Sequence, residues 1–249
     1  VQNPIAALPR PTDPTTSNTA AKVIEQSLDA VFDNPPSIKR TAFLNRAVDA
    51  WRVRGQEIAR PTLTLVGGYA GSGKTEFSRF LSEITGWALL DKDSMTCAMA
   101  ERLLTSLGGD LHDRHTELYL REVRPLEYRC LMETAFDNLH VGTSAILAAP
   151  FIAELADADW ICRLTDRCAA MGVDVAVIWM SCDIESMRRH IEFRSAARDA
   201  WKLANWGTYT SGLDIHNIPA TADIAVDNRL GAAIDLVKQT RESLKQVLT

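Results

Sequence analysis

Eight residues, Gly68-Tyr69-Ala70-Gly71-Ser72-Gly73-Lys74-Thr75, spell G-x-x-x-x-G-K-[ST] in full. Glycines at 68, 71 and 73 let the main chain turn tightly and bring its N–H groups against phosphate oxygens. A helix starting just after the loop points its positive end at the same charge. The chemistry implied is ATP or GTP binding, with Tyr69, Ala70 and Ser72 lending main-chain amides to the cradle. Lys74 is expected to reach the β- and γ-phosphates. The Thr75 hydroxyl is expected to complete an octahedral Mg²⁺ shell made otherwise of water and phosphate oxygens.

Further along, Asp91-Lys92-Asp93 follows the short apolar run Ala88-Leu89-Leu90. A carboxylate at the carboxyl end of a parallel strand lies near the phosphate loop, where it can accept the proton of an attacking hydroxyl. Asp93 is the first candidate for that base and Asp91 the second; the competing role for Asp93 is to cap the helix beginning at Ser94. Arg194, Arg198 and Lys202 are spaced by four, so one helix would carry them as a basic stripe able to fold over a triphosphate. The alternative pairs Arg194 and Arg198 with Glu192 and Asp199 on a solvated face. Arg121 and Arg124, with Tyr128 a turn further on, are candidates for holding an acceptor, and pairing with Glu117 or Glu127 is the alternative for the two arginines. His112 and His115 read as loop residues rather than metal ligands, because no third ligand stands at a usual spacing. Trp201, Trp206 and Tyr209 are placed either to stack on a ring or to fill core.

The elements needed to position these groups are legible as alternating short apolar runs and longer helical stretches, the signature of a parallel sheet with crossover helices. Strands are predicted at Leu63–Val66, Ala88–Leu90, Ser144–Ala148, Val173–Met180 and Ile224–Val226. Helices are predicted at Gly73–Ile84, Ser94–Leu107, Glu117–Leu139 (with Pro125 able to kink or split it), Asp159–Met171, Ile184 to about Leu203, and Leu230–Leu248. Residues 1–19 hold four prolines and read as a tail or strap, and two helical runs follow before Ile58, separated by Asn34-Pro35-Pro36. Two parts are expected: residues 1–60 as a Pro-rich tail with a helical extension, and residues 61–249 as an α/β domain with a lid around 188–214.

A chain of 249 residues that is 46% hydrophobic and 24% charged excludes collagen, extended coiled coil and wholesale disorder. No apolar run approaches the roughly 18 residues of a membrane span, and the first residues lack the basic-then-apolar order of a signal peptide. Five cysteines, odd in number and without a metal spacing, are expected to be reduced core thiols, which points to the cytoplasm. A formal charge of -5 supplies no field that would gather nucleic acid. Motifs missing from the sequence narrow the class further. There is no N-K-x-D guanine motif, the strand at Ser144–Ala148 ends in Ala149-Pro150-Phe151 rather than Asp-Glu, and there is no transporter Ser-Gly-Gly signature. A small kinase is favoured.

The order of the glycine-rich loop, LLDKDSMT, a strand ending in Ala-Pro-Phe, VIWMSCD and an Arg-rich segment resembles the P-loop small-molecule kinases grouped with AAA-like ATPases. That group includes polynucleotide kinases, chloramphenicol phosphotransferases and zeta toxins. The resemblance runs from about Pro61 to the C-terminus. It implies a five-stranded parallel sheet in the order 2-3-1-4-5, helices on both faces and a mobile lid. It also implies that Lys74 and Thr75 handle phosphate and Mg²⁺, that Asp93 is the base, and that Arg194 and Arg198 are lid arginines. Many relatives carry an acid just before the Pro-Phe where this chain has Ala148-Ala149, so Asp91 or Asp183 must take over that contact. By the same analogy adenine lies against Asp227-Asn228-Arg229. The function expected is ATP- and Mg²⁺-dependent phosphoryl transfer to a hydroxyl of a small molecule, with antibiotics among the acceptors. A polynucleotide 5′-kinase is the nearest rival, and a nucleotide-gated regulatory or partner-binding ATPase is the alternative of another class.

Overall fold

A computed structural model describes residues 60–247, so the expected tail and helical extension of residues 1–59 lie outside the described residues. Five strands, β1 (Thr62–Gly67), β2 (Ala88–Asp91), β3 (Ala145–Ala148), β4 (Asp174–Ser181) and β5 (Ile224–Asp227), form one sheet in the order β2-β3-β1-β4-β5. Every pairing is parallel. β1 is central and wholly buried, which is why Thr62-Leu63-Thr64-Leu65-Val66 is so apolar. Its side chains alternate between two layers. Leu63 and Leu65 pack with Leu131, Leu147, Phe151 and Val177 on one face. Val66 packs with Phe77, Leu81, Ile146, Ile178 and Met180 on the other.

Nine helices lie between and after these strands among the described residues: α1 (Lys74–Thr85), α2 (Lys92–Ser106), α3 (Arg124–His140), α4 (Ile152–Ala156), α5 (Ala158–Ala170), α6 (Ile184–Arg194), α7 (Ala200–Ala204), α8 (Trp206–Ser211) and α9 (Leu236–Val247). All five expected strands are present, and their bounds agree to within one residue. The helices depart from expectation in four places. The run expected from Glu117 to Leu139 is split, because Pro125 cannot donate a ladder hydrogen bond. The chain widens there to a π-turn over Tyr119–Val123, in which Arg124 N–H bonds Tyr119 O, before α3 begins. The short helices α4 and α8 had no counterpart among the expected elements. The last helix starts six residues later than expected.

The fourth departure bears on the site. The helix expected from Ile184 to about Leu203 stops at Arg194, where Ser195 turns left-handed (φ 50°) and bonds back to Ile191 O at 3.2 Å. Residues 197–199 then form one 3₁₀ turn before α7. Arg194, Arg198 and Lys202 therefore do not form a stripe on one helix.

The end of β3 braces the phosphate loop. Phe151 is itself left-handed (φ 50°), and its N–H is held by the buried Tyr128 hydroxyl at 3.1 Å. Pro150 O accepts from Gly68 N at 3.0 Å. Tyr128, expected at an acceptor site, thus lies in the core and holds a strained turn under the loop. Replacing Tyr128 with Phe leaves the Phe151 N–H buried without a partner, at a cost of about 1–3 kcal/mol. Urea unfolding should show that loss with an unchanged m-value, and an unchanged midpoint would exclude the brace.

Candidate active site

The loop after β1 is shaped by its glycines. At Gly71 (φ 81°) a Cβ would stand 2.7 Å from Met187 O, and at Gly73 (φ 90°) it would fall on the Asn228 side-chain amide. Only hydrogen fits there, so the main chain approaches both neighbours closely. Asn228 holds the loop from the far side, its Nδ2 donating to Ser72 O at 3.0 Å. His190 of α6 holds it from above, with Nδ1 2.8 Å from Gly71 O. Tyr69 reaches across to Asp214, its hydroxyl accepting from Asp214 N at 3.2 Å.

Lys74 is drawn inward. Its Nζ donates to Tyr69 O at 2.8 Å. Burial pushes its pKa down to about 8, with Asp93 and Asp91 opposing that shift and Arg194 and Lys202 adding to it. These neighbours show that the strand-end acids and two of the three expected lid cations do converge on the loop.

The two acids divide the roles differently from the simplest expectation. Asp91, not Asp93, caps α2: its Oδ1 accepts from Ser94 N at 2.9 Å. Its Oδ2 accepts from the Thr75 hydroxyl at 2.8 Å. The register pairs Asp91 with Ala148, so its carboxylate stands beside the end of β3, which carries none. Asp183 instead caps α6 through Ser186 N at 2.7 Å and lines a separate cavity of about 330 Å³ with Ser181, Ala225, Asp227 and Arg229.

Asp93 is free of capping and stands between two cations, Lys92 Nζ at 2.9 Å and Arg198 Nη2 at 3.1 Å. Partial burial works to raise its carboxyl, but Lys92 and Arg198 outweigh it, Lys74 adds to them, and the pKa is held at about 2. Lys92 is itself buried and bonds Glu127 at 3.1 Å. Glu127 also accepts from Thr96 at 2.8 Å and Tyr119 at 2.6 Å, a buried network that the sequence did not disclose. A lysine between two acids at a strand end was its only outward sign.

Arg194 and Lys202 both pair with Asp199, which is 1% exposed. Those cations hold its carboxyl below the usual range against the effect of burial. Asp199, read in the sequence only as a surface partner, is the residue that gathers the two lid cations. Arg121 lies on the surface, 3.9 Å from Glu117, the pairing offered as its alternative. Arg124 bonds Glu154 at 2.7 Å and lies 4.2 Å over the Tyr128 ring. Of the aromatics, Trp201 stacks on His115 with centroids 3.9 Å apart, and Trp206 lies beside Tyr209 at 5.7 Å.

The residues present fit a magnesium-bound triphosphate. Thr75 and Asp91 offer an oxygen pair of the kind a hard cation takes beside water and phosphate. Ser72 Oγ is buried in the loop with no hydrogen-bond partner among the described residues, and it suits a phosphate oxygen. The described residues contain no cluster of three or more His, Cys, Asp or Glu that would hold a metal by protein ligands alone. All five cysteines are unpaired thiols; Cys168 and Cys182 are buried, whereas Cys162 is exposed, so the expectation of core thiols holds only in part. No helix among the described residues is long and apolar enough to cross a membrane.

This sheet order, loop and lid have the architecture of the P-loop small-molecule kinases. Residues 63–214 match the AAA domain family AAA_33, and the chain belongs to that family. A candidate kinase from Chloroflexus aurantiacus superposes with a TM-score of 0.54 at 22% identity, over 77% of this chain and 100% of that one. The APS kinase of Mycobacterium tuberculosis, in complex with AMPPNP and APS, is similar at a TM-score of 0.48 and 15% identity, over 76% and 99%. A gluconokinase from Sinorhizobium meliloti 1021 gives 0.46 and 15%, over 76% and 92%. At these identities the likeness is one of fold. No curated protein matches the chain in sequence.

Burying Lys74 works against folding. With its pKa lowered from 10.5 to about 8, the native state binds fewer protons than the unfolded chain between those values. The penalty is therefore complete below pH 8 and is relieved as pH rises to 10.5, at about 3 kcal/mol by proton linkage. Lys74→Met should accordingly raise Tm at pH 7 while abolishing nucleotide binding, and the gain should shrink towards pH 10. A fall in Tm at pH 7 would show that the lysine is not strained in the free protein.

Proposed function

We propose that this protein is an ATP- and Mg²⁺-dependent phosphotransferase that moves the γ-phosphoryl group to a hydroxyl of a small molecule. The observation that carries the reading is the convergence of Lys74, the Thr75–Asp91 pair and the uncapped Asp93 at the ends of β1 and β2. Thr75 and Asp91 would hold Mg²⁺, which would supply charge neutralisation at the phosphates. The main chain of residues 68–75 grips the phosphates, and Lys74 leaves Tyr69 O for the β- and γ-oxygens. Arg198, with Arg194 and Lys202 behind it, offsets charge on the transferred group. The cavity beside Asp227 and Arg229 suits the adenine.

Asp93 orients the acceptor hydroxyl. With a pKa near 2 it is ionised at every physiological pH, hence always ready to accept a hydrogen bond, yet it is a weak base. The acceptor oxygen bonds to the γ-phosphorus as the bridge from phosphorus to the β-phosphate oxygen breaks. The acceptor proton becomes acidic enough to pass to Asp93 only as that bond forms. ADP leaves with the electron pair of the broken bond. Positioning therefore contributes more than proton abstraction.

The acidic balance of the chain, -5, favours a small acceptor over a polynucleotide, which wants a basic track. Unpaired thiols fit a reducing, cytoplasmic setting. Antibiotics belong among the compounds to screen as acceptors. With γ-labelled ATP and a panel of hydroxylated metabolites and antibiotics, wild type should label an acceptor and Lys74→Ala should not. Asp93→Asn should bind ATP normally and lose about 10²–10⁴ of kcat. Full turnover in the Asp93 variant would remove it from the reaction. ATP turnover that needs no acceptor and survives that change, together with a stable partner in pull-down, would favour the regulatory ATPase.

A further inference from the structure

Helix α2 presents Asp93, Cys97 and Glu101 at intervals of four residues, so all three lie along one face. Arg198 meets the first of these, 3.1 Å from Asp93, and it also contacts the Cys97 thiol. Arg114 comes from the opposite side, with its Nη2 3.9 Å from Cys97 Sγ. Two guanidinium groups thus converge on one neutral thiol, whose ionisation is opposed by burial and by Glu101, bonded to it at 3.2 Å.

Like charges brought together in a half-buried place want an anion between them. Arg198 has Asp93. Arg114 has only the carbonyls of Leu111 at 3.2 Å and Asp113 at 2.6 Å besides the thiol, and no carboxylate among the described residues is paired with it. Nor is it loosely held. Its guanidinium lies 5.4 Å over the Tyr119 ring. Its loop is fixed by the buried Asp113, which accepts from His115 N at 2.9 Å and Thr116 N at 3.0 Å. The next residue, His115, stacks on Trp201, which ties this loop to the segment bearing Arg198.

Accepting phosphoryl transfer at Asp93, on which this inference rests, the geometry points to an acceptor that is itself an anion: an alcohol whose carboxylate, sulfate or phosphate group is held by Arg114 and Arg198 over Cys97. One turn of α2 separates Asp93 from Cys97, about 6 Å along the axis, so hydroxyl and anionic group stand three to four carbon atoms apart. Planar donors in a fork are suited to the oxygens of such a group.

The test is sulfate binding by calorimetry, with the phosphate loop filled by Mg²⁺ and a non-hydrolysable ATP analogue. Wild type should bind one sulfate per chain, Arg114→Met should bind it at least about tenfold more weakly, and Arg114→Lys should restore most of the affinity. Analogue binding should be equal in all three, which separates loss of the anion site from misfolding. In parallel, transfer to a six-carbon neutral sugar, the matching sugar acid and the sugar phosphate distinguishes the anion's source. Preference for either charged member supports the inference, and equal or better use of the neutral sugar overturns it. Failure of sulfate to bind, or binding indifferent to Arg114→Met, overturns it while leaving the kinase reading intact. Failure of the analogue to bind at all defeats that reading as well.

Discussion

The half-buried ammonium group of Lys74 is the constraint around which the rest of this fold is arranged. Partly removed from water, the cation has one carbonyl and two carboxylates within its influence, and two further cations oppose them. Such a group is poorly satisfied by the protein alone and well satisfied by a polyphosphate. The surrounding structure keeps it there. β1 is locked between β3 and β4, Pro150 and Asn228 hold the loop at both ends, and three glycines let the main chain approach its neighbours closely.

The two carboxylates turn to different partners although they are two residues apart in the chain. Asp91 ends β2 and begins α2, so one oxygen caps the helix and the other meets Thr75. Asp93, already in the helix, turns to the opposite side, where Lys92 and Arg198 hold it ionised. Lys92 is fixed in turn by Glu127, so the charge state of Asp93 is set from the core, through α3, as well as from the lid. Glu127 links these elements by bonding residues of α2 and the π-turn.

Ion pairs join the segment bearing Arg194, Arg198 and Lys202 to the site, beside the stack of Trp201 on His115. Arg194 and Lys202 close on Asp199 within the lid itself, whereas Arg198 reaches out to Asp93. Arg198 bridges to Asp93, and the other two cations stand near Lys74.

Much of this was written in the sequence. The phosphate loop is a local device in which eight consecutive residues fix both the backbone turns and the chemistry, so its spelling sufficed. The five strands were legible because buried parallel strands are short apolar runs, and their order followed from the family resemblance. What the sequence left undecided depended on partners distant in the chain. The stripe of Arg194, Arg198 and Lys202 was a fair inference from helical spacing, yet Ser195 adopts a left-handed turn that no glycine announces, and the three cations separate. Whether Asp93 caps α2 or stands free turned on how β2 enters α2 and on an arginine more than a hundred residues away. Arg121 and Tyr128 gave no sign of whether they faced solvent, core or site, because burial is a property of packing. Local backbone chemistry was therefore decided by the sequence alone, whereas the pairing of charges was decided by the tertiary structure, since a charge is stabilised by whatever lies within a few ångströms of it and the chain order does not specify that neighbour.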